Sequence, residues 1–239
     1  MNIESMLGQA AARIRSGSAQ PHEDRAQPYR GEFAAMVYDG RLSGATLAEK
    51  KAAVAAIRES GSGAVAGGSA KSFLAGLSAQ DLMLLQQATG LADRIDVAAL
   101  SEEGAANLLL EQDGRVDLNN DGLVEVGAAK TVVFPPVNAP QSVKDAWTAA
   151  TAGMSDKDKM MLNGYIALPL TLGATLPGHT GEGPQLSDMA NAGFDWNDLI
   201  GRLLYTIDIG RPQNRDEVSD MLEGGVRRFG DALKQRGLA

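Results

Sequence analysis

Helix-starting signals recur along this chain and constrain its fold more than any other feature. A residue with a side-chain oxygen is followed three positions later by an acid at Thr46–Glu49, Ser78–Asp81, Ser155–Asp158 and Asn214–Glu217. At that spacing the oxygen accepts a backbone N–H of the first turn and the acid reaches back to the cap. Ser101, Ser142 and Asp195 stand before further runs of the same kind. Apolar residues then follow at three- and four-residue spacing. "AQDLMLLQQATG" ends on Gly90 and "EEGAANLLLEQ" has a stop at Gly114. "WNDLIGRLLYTIDI" puts Trp196, Ile200, Leu203, Leu204 and Ile207 on one face, and the last helix does so with Val218, Met221, Leu222, Val226, Phe229 and Leu233. The predicted class is mainly α: a helical domain with a short β-hairpin that carries the stretch "DLNNDG" at 117–122.

Breaks in this pattern suggest the organisation. Residues 1–15 set Ile3, Met6, Leu7, Ala10, Ala11 and Ile14 on one stripe, with Arg13 and Arg15 in the last turn. "SGSAQPHEDRAQP" follows, so 1–28 reads as an amphipathic helix plus a mobile linker. Residues 29–168 read as the helical domain with the hairpin loop. Residues 169–239 read as a Gly- and Pro-rich loop and a C-terminal helical pair packed on the same core. "GSGAVAGGSAKS" at 61–72 reads as a flexible linker, because a phosphate loop needs glycine before its lysine and Ala70 stands before Lys71.

Composition narrows the function classes. Acidic residues number 30 against 22 basic, a net charge of -8 that repels phosphate backbones and anionic lipid surfaces. No nucleic-acid partner is therefore expected. Cysteine is absent, which removes disulfides, thiol nucleophiles and thiolate metal sites. The most apolar run, "YIALPLTLGATLPG", is too short to span a bilayer, so no membrane span is expected. No basic-then-apolar leader opens the chain. The expectation is a soluble protein, either cytoplasmic or exported by a route without a standard signal peptide.

One stretch carries recognisable chemistry. In "VDLNNDGLVEVG" at 116–127, Asp117, Asn119 and Asp121 put oxygens on alternate positions, and Gly122 lets the backbone turn sharply. A calcium ion takes six to eight hard oxygen ligands, and such a loop can turn several of them inward. Asp-Gly between β-formers also suits a bare hairpin turn with no metal, since Asp and Asn satisfy their own backbone amides. Against the bare turn stands the crowding of Asp117, Asp121 and Glu125 within nine residues.

"DLNNDGLVE" resembles the first nine positions of an EF-hand or dockerin-type calcium loop, and is similar to the D-x-[DN]-x-D-G loops of FG-GAP repeats. The resemblance implies Ca2+ held by Asp117, Asn119, Asp121, the carbonyl of Leu123 and Glu125. It covers about a dozen residues and departs from the EF-hand at the twelfth position, where Ala128 replaces a bidentate Glu. Strand character in "GRV" before and "LVEV" after favours the FG-GAP version. With one bidentate carboxylate missing, the expected dissociation constant is on the order of 10⁻⁴–10⁻³ M.

The sequence thus predicts a non-catalytic calcium-binding interaction or structural protein whose site orders the loop and the flanking helices 101–112 and 142–152. One alternative is an enzyme of unrecognised type that uses His179 and Glu182 in the 177–188 loop, with Asp188 nearby. Nothing pairs these residues with a nucleophile at a known spacing. The other alternative is a metal-free helical adaptor that captures an unknown protein partner through its N-terminal amphipathic helix. His22, beside Glu23 and Asp24, reads as part of a solvated charge cluster.

Overall fold

A computed structural model describes residues 7, 8, 12, 32–44, 46–171, 184–191, 193–211 and 217–239. Among these residues the chain is mainly α-helical, with a two-stranded antiparallel hairpin. No helix among them is long and apolar enough to cross a membrane. Two compact units emerge. One contains Tyr29–Asn119 and Val124–Thr131, and the other contains Asn120–Leu123 and Val132–Ala239.

In the first unit α1 (Glu32–Leu42), α2 (Leu47–Ala66), α3 (Ala70–Ala75) and α4 (Ala79–Thr89) precede α5 (Glu102–Leu109). Single 3₁₀ turns lie at Val97–Ala99 and Gln112–Gly114. The hairpin strands β1 (Leu123–Val126) and β2 (Ala129–Val132) follow, with Leu123 and Val132 counted in the second unit. The centre of this unit is α5, against which α2, α3 and α4 all pack. It is buried over Glu103–Leu109, and Leu108, Leu109 and Leu110 have no exposed surface at all. Three leucines in a row cannot share one helical face, so a helix carrying them needs neighbours on several sides.

Ser78 caps α4 by accepting the Asp81 N–H at 3.1 Å, and Gly90 ends that helix at φ 72°. Ser101 caps α5 by accepting the Gly104 N–H at 2.9 Å. Gly104 and Gly127 meet backbone to backbone. The Gly127 N–H donates to the Gly104 carbonyl at 3.0 Å, and a Cβ on Gly104 would stand 2.1 Å from the Gly127 oxygen. Near the start of the chain, Leu7 is buried, and a Cβ on Gly68 would lie 3.7 Å from its Cδ1.

In the second unit α6 (Gln141–Thr151), α7 (Asp156–Thr171), α8 (Trp196–Gly210) and α9 (Glu217–Lys234) enclose one core, with a 3₁₀ turn at Leu186–Ala190. Phe229 of α9 meets Phe134, Trp147 and Trp196 edge-on, with ring centroids 5.8, 5.3 and 5.9 Å away. Edge-to-face contact brings the positive rim of one ring to the negative face of another. The aromatic residues are few, and this core concentrates them. Ser155 caps α7 through Asp158 N–H at 3.1 Å, and Asp195 caps α8 through Asp198 N–H at 2.9 Å. The expected faces hold at Trp196, Leu203, Ile207, Val226, Phe229 and Leu233, while Val218 is exposed.

Four local expectations are corrected. The supposed linker at 61–72 is largely helix: α2 runs through Gly61, Ser62 and Gly63 to Ala66. A Cβ on Gly61 would lie 2.9 Å from both Leu109 and Phe73, so the glycine lets α2 approach its neighbours closely. Lys71, at the end of that stretch, is spent on the carbonyls of Ala98 and Leu100 at 2.8 and 2.7 Å. Ser142 lies inside the first turn of α6, whose cap position is Pro140. The helix expected to break at Pro169 continues to Thr171, with Leu170 buried. Finally, the chain reversal falls at Gly127–Ala128 and not at Asp121–Gly122, so the acidic loop leads into β1, and "GRV" forms no strand. The N-terminal stripe beyond Leu7, Gly8 and Ala12, the linker at 16–28, the loop at 172–183 and Asn214 lie outside the described residues.

Candidate metal centre

Two polar side chains four residues apart on α5 build the loop from beneath. Glu103 and Asn107 sit on a helix that after Glu102 is otherwise apolar and buried. One oxygen of Glu103 accepts the Glu125 N–H at 2.8 Å, and the other accepts those of Leu118 at 2.8 Å and Asn119 at 3.4 Å. Asn107 accepts the Val116 N–H at 2.8 Å through its side-chain oxygen. Its amide nitrogen donates to the carbonyls of Val116 and Glu125 at 2.8 and 2.7 Å. Both arms, Val116–Asn119 on one side and Glu125 on the other, are thereby fixed to one helix. A buried carboxylate requires such donors, and buried amides require such an acceptor.

The residues expected to ligate a cation lie in different surroundings. Asp117 is buried with 1% of its surface exposed, close enough to Glu103 for its charge to act there. Burial pushes the Glu103 carboxyl above its ordinary range, the amides from Glu125 and Leu118 oppose that, and Asp117 pushes it further up. Asn119 is exposed. Asp121 accepts the Leu123 N–H at 2.8 Å, which closes a turn on its own backbone. Between them, Asn120 takes φ 58° and its side-chain oxygen accepts from Asn138 at 2.8 Å.

Gly122 is required twice over. Its φ is 81°, and a Cβ there would come within 2.5 Å of the Leu186 Cβ and 2.8 Å of the Ser187 nitrogen. Val124, with 1% exposed, anchors the loop as its alternation predicts. Leu123, itself part of the second unit, packs against that unit's core.

Glu125 points elsewhere. Its carboxylate accepts the Ser101 hydroxyl and pairs with Lys130 at 3.1 Å. Among the described residues no three His, Cys, Asp or Glu side chains are grouped so that they could hold a metal ion. The acids alone therefore fit a cation only in part. What fits is the charge of two buried carboxylates, that of Asp117 acting on Glu103. What does not fit is Glu125, whose charge Lys130 already meets.

Sequence reasoning missed Glu103 and Asn107. The signal was present as an acid and an amide at i and i+4 within "EEGAANLLL", on the same helical face, but their partners lie 9 to 22 residues away. His22, His179 and Glu182 lie outside the described residues. Asp188 accepts the Gln185 N–H at 2.8 Å and serves as a local cap. A cavity of about 240 Å³ in the second unit is lined by Leu204, Tyr205, Ile207, Asp208, Arg211, Glu223 and Arg227. Its arginines pair with Glu223. Comparison with protein-family models, curated proteins and solved structures returned no match.

Proposed function

We propose that this is a non-catalytic calcium-binding protein, structural or interaction-mediating, whose 117–125 loop takes up the ion. The observation that carries the reading is the buried pair Glu103 and Asp117. Two neighbouring carboxylates removed from water repel each other and lose hydration, and a divalent cation offsets both costs. Asp117, Asn119, Asp121 and the Leu123 carbonyl would supply oxygens. Glu125 would join only by leaving Lys130, so water takes its place in the coordination shell. Binding then stays near the weak end, on the order of 10⁻⁴–10⁻³ M.

Calorimetry on metal-stripped protein tests this. Calcium should release or absorb heat with saturation in that range. Asp121→Ala should abolish the heat, while Glu125→Gln should change the affinity by less than about threefold, as expected for a residue whose place water can fill. No saturable heat in the wild-type chain ends the calcium reading.

A metal-free helical scaffold is the second reading. The dispersal of the acids favours it: the amides of the loop are already satisfied by Glu103 and Asn107. On that reading calcium leaves the melting temperature unchanged.

A further inference from the structure

The cavity of the second unit plays no part in the calcium reading. It lies between α8 and α9 and has a volume of about 240 Å³. Leu204, Asp208 and Arg211 follow one another at four and three residues, so they share one face of α8 and its final turn. Glu223 and Arg227, four apart, line the cavity from α9. Arg211 reaches across to α9, where it pairs with Glu223 and lies 3.5 Å from Asp220. Arg227 meets the other Glu223 oxygen through Nε at 2.8 Å and Nη2 at 2.7 Å. One half-buried carboxylate thus holds two guanidiniums, one on each oxygen.

Two guanidinium forks carry more N–H donors than one carboxylate can accept, and a second carboxylate is the group that matches them. Asp220, 77% exposed, meets Arg211 where water screens the contact. Asp208 puts a negative group one turn before Arg211 on the same wall. Residues three apart on a helix stand about 5–6 Å apart at Cβ, so one small molecule can touch both. Leu204 and Ile207 add an apolar surface. Among the lining residues Arg211 and Arg227 balance Asp208 and Glu223, which leaves the cavity neutral overall but with its charges separated. A ligand with the same character fits it, a zwitterion with an apolar body. The volume exceeds the roughly 150 Å³ that takes up benzene and falls short of the roughly 300 Å³ where drug-sized sites begin, so the occupant has about a dozen heavy atoms.

We propose that this cavity binds a free amino acid with an apolar side chain. Arg211 and Arg227 take its carboxylate, Asp208 takes its ammonium group, and Leu204 and Ile207 take the side chain. The site shares no residue with the loop at 117–125, so it stands or falls apart from calcium binding.

Calorimetry and ligand-observed NMR on the full chain test it, at neutral pH and low ionic strength. L-Phenylalanine and L-leucine should bind saturably, with a dissociation constant on the order of 1 mM for so small a ligand at a partly open site. 3-Phenylpropionate lacks the ammonium group, phenethylamine lacks the carboxylate and glycine lacks the apolar body. Each should bind about tenfold more weakly than L-phenylalanine, or worse. Arg227→Met and Asp208→Asn should each weaken L-phenylalanine by about tenfold, the size of one lost charge-assisted contact. Both positions are exposed, so the fold should survive, and circular dichroism checks that it does. Lys51→Met in the first unit also removes an exposed cation from an ion pair, and it should bind like wild type. No saturable binding of either amino acid overturns the proposal, as does 3-phenylpropionate or phenethylamine matching L-phenylalanine, or undiminished binding in the Arg227 and Asp208 variants.

Discussion

Glu103 ties both arms of the acidic loop to one helix. It collects three backbone N–H groups, those of Leu118 and Asn119 on one arm and of Glu125 on the other. Removing it strands those donors in a buried setting, and a stranded buried donor costs about 1–3 kcal/mol. Glu103→Ala should therefore lower the unfolding free energy by about 2–4 kcal/mol, as read by urea denaturation at neutral pH. A smaller loss than from Glu125→Ala would show that α5 does not hold the loop.

None of this was readable from spacing alone. The alternation of Asp117, Asn119 and Asp121 marks a turn-forming, oxygen-rich segment, and it is one. What spacing cannot show is where a carboxylate points. Glu125 had the right register for a ligand and was taken by Ser101 and Lys130.

At the scale of elements, the helix starts were legible because capping is local. Ser78, Ser101, Ser155 and Asp195 each accept from a residue three positions ahead. Thr46 makes no side-chain cap bond and Ser142 falls inside its helix, while two further misreadings share one cause. Gly61 and Pro169 carry local helix-breaking signals that packing overrides, by close approach to Leu109 and Phe73 in one case and by burial of Leu170 in the other. Such compensation is invisible until the neighbour is known.

The contact between α7 and α8 makes a pH prediction. Tyr165 donates its hydroxyl to the Leu203 carbonyl at 2.9 Å, and burial pushes it up to about 12, with a lesser lowering pull from Thr206. A phenol that stays neutral in the folded chain stabilises the fold fully below pH 10, its ordinary value, and ceases to do so as pH rises towards 12. The urea midpoint should thus fall across that window in wild type and fall less in Tyr165→Phe. In the difference spectrum between the two proteins, phenolate absorbance should appear near pH 12. Ionisation of Tyr165 at pH 10 would contradict the shielding.

At the scale of the whole molecule, the two units have unlike interiors. The first is built on aliphatic residues around α5, and the second on interlocking rings around Phe229. Both tryptophans of the chain, Trp147 and Trp196, belong to the second. Their fluorescence therefore reports on that unit alone, whereas far-ultraviolet circular dichroism reports on helices of both. Phe229→Ala should cost the second unit about 3–5 kcal/mol. It should shift the fluorescence-detected midpoint further than the dichroism-detected one. Coincident shifts would mean that the whole chain unfolds as a single cooperative block.

The meeting of Gly104 with Gly127 has an evolutionary corollary. Since the carbonyl of one occupies the space any side chain on the other would need, position 104 admits a single amino acid for as long as the hairpin lies on α5. Acids at a binding loop can drift when their ligand is lost. A distant descendant of this chain should still keep glycine there, between the pinning carboxylate and the pinning amide. Those three positions together are a better key for finding its kin than the oxygen-bearing loop that first draws notice.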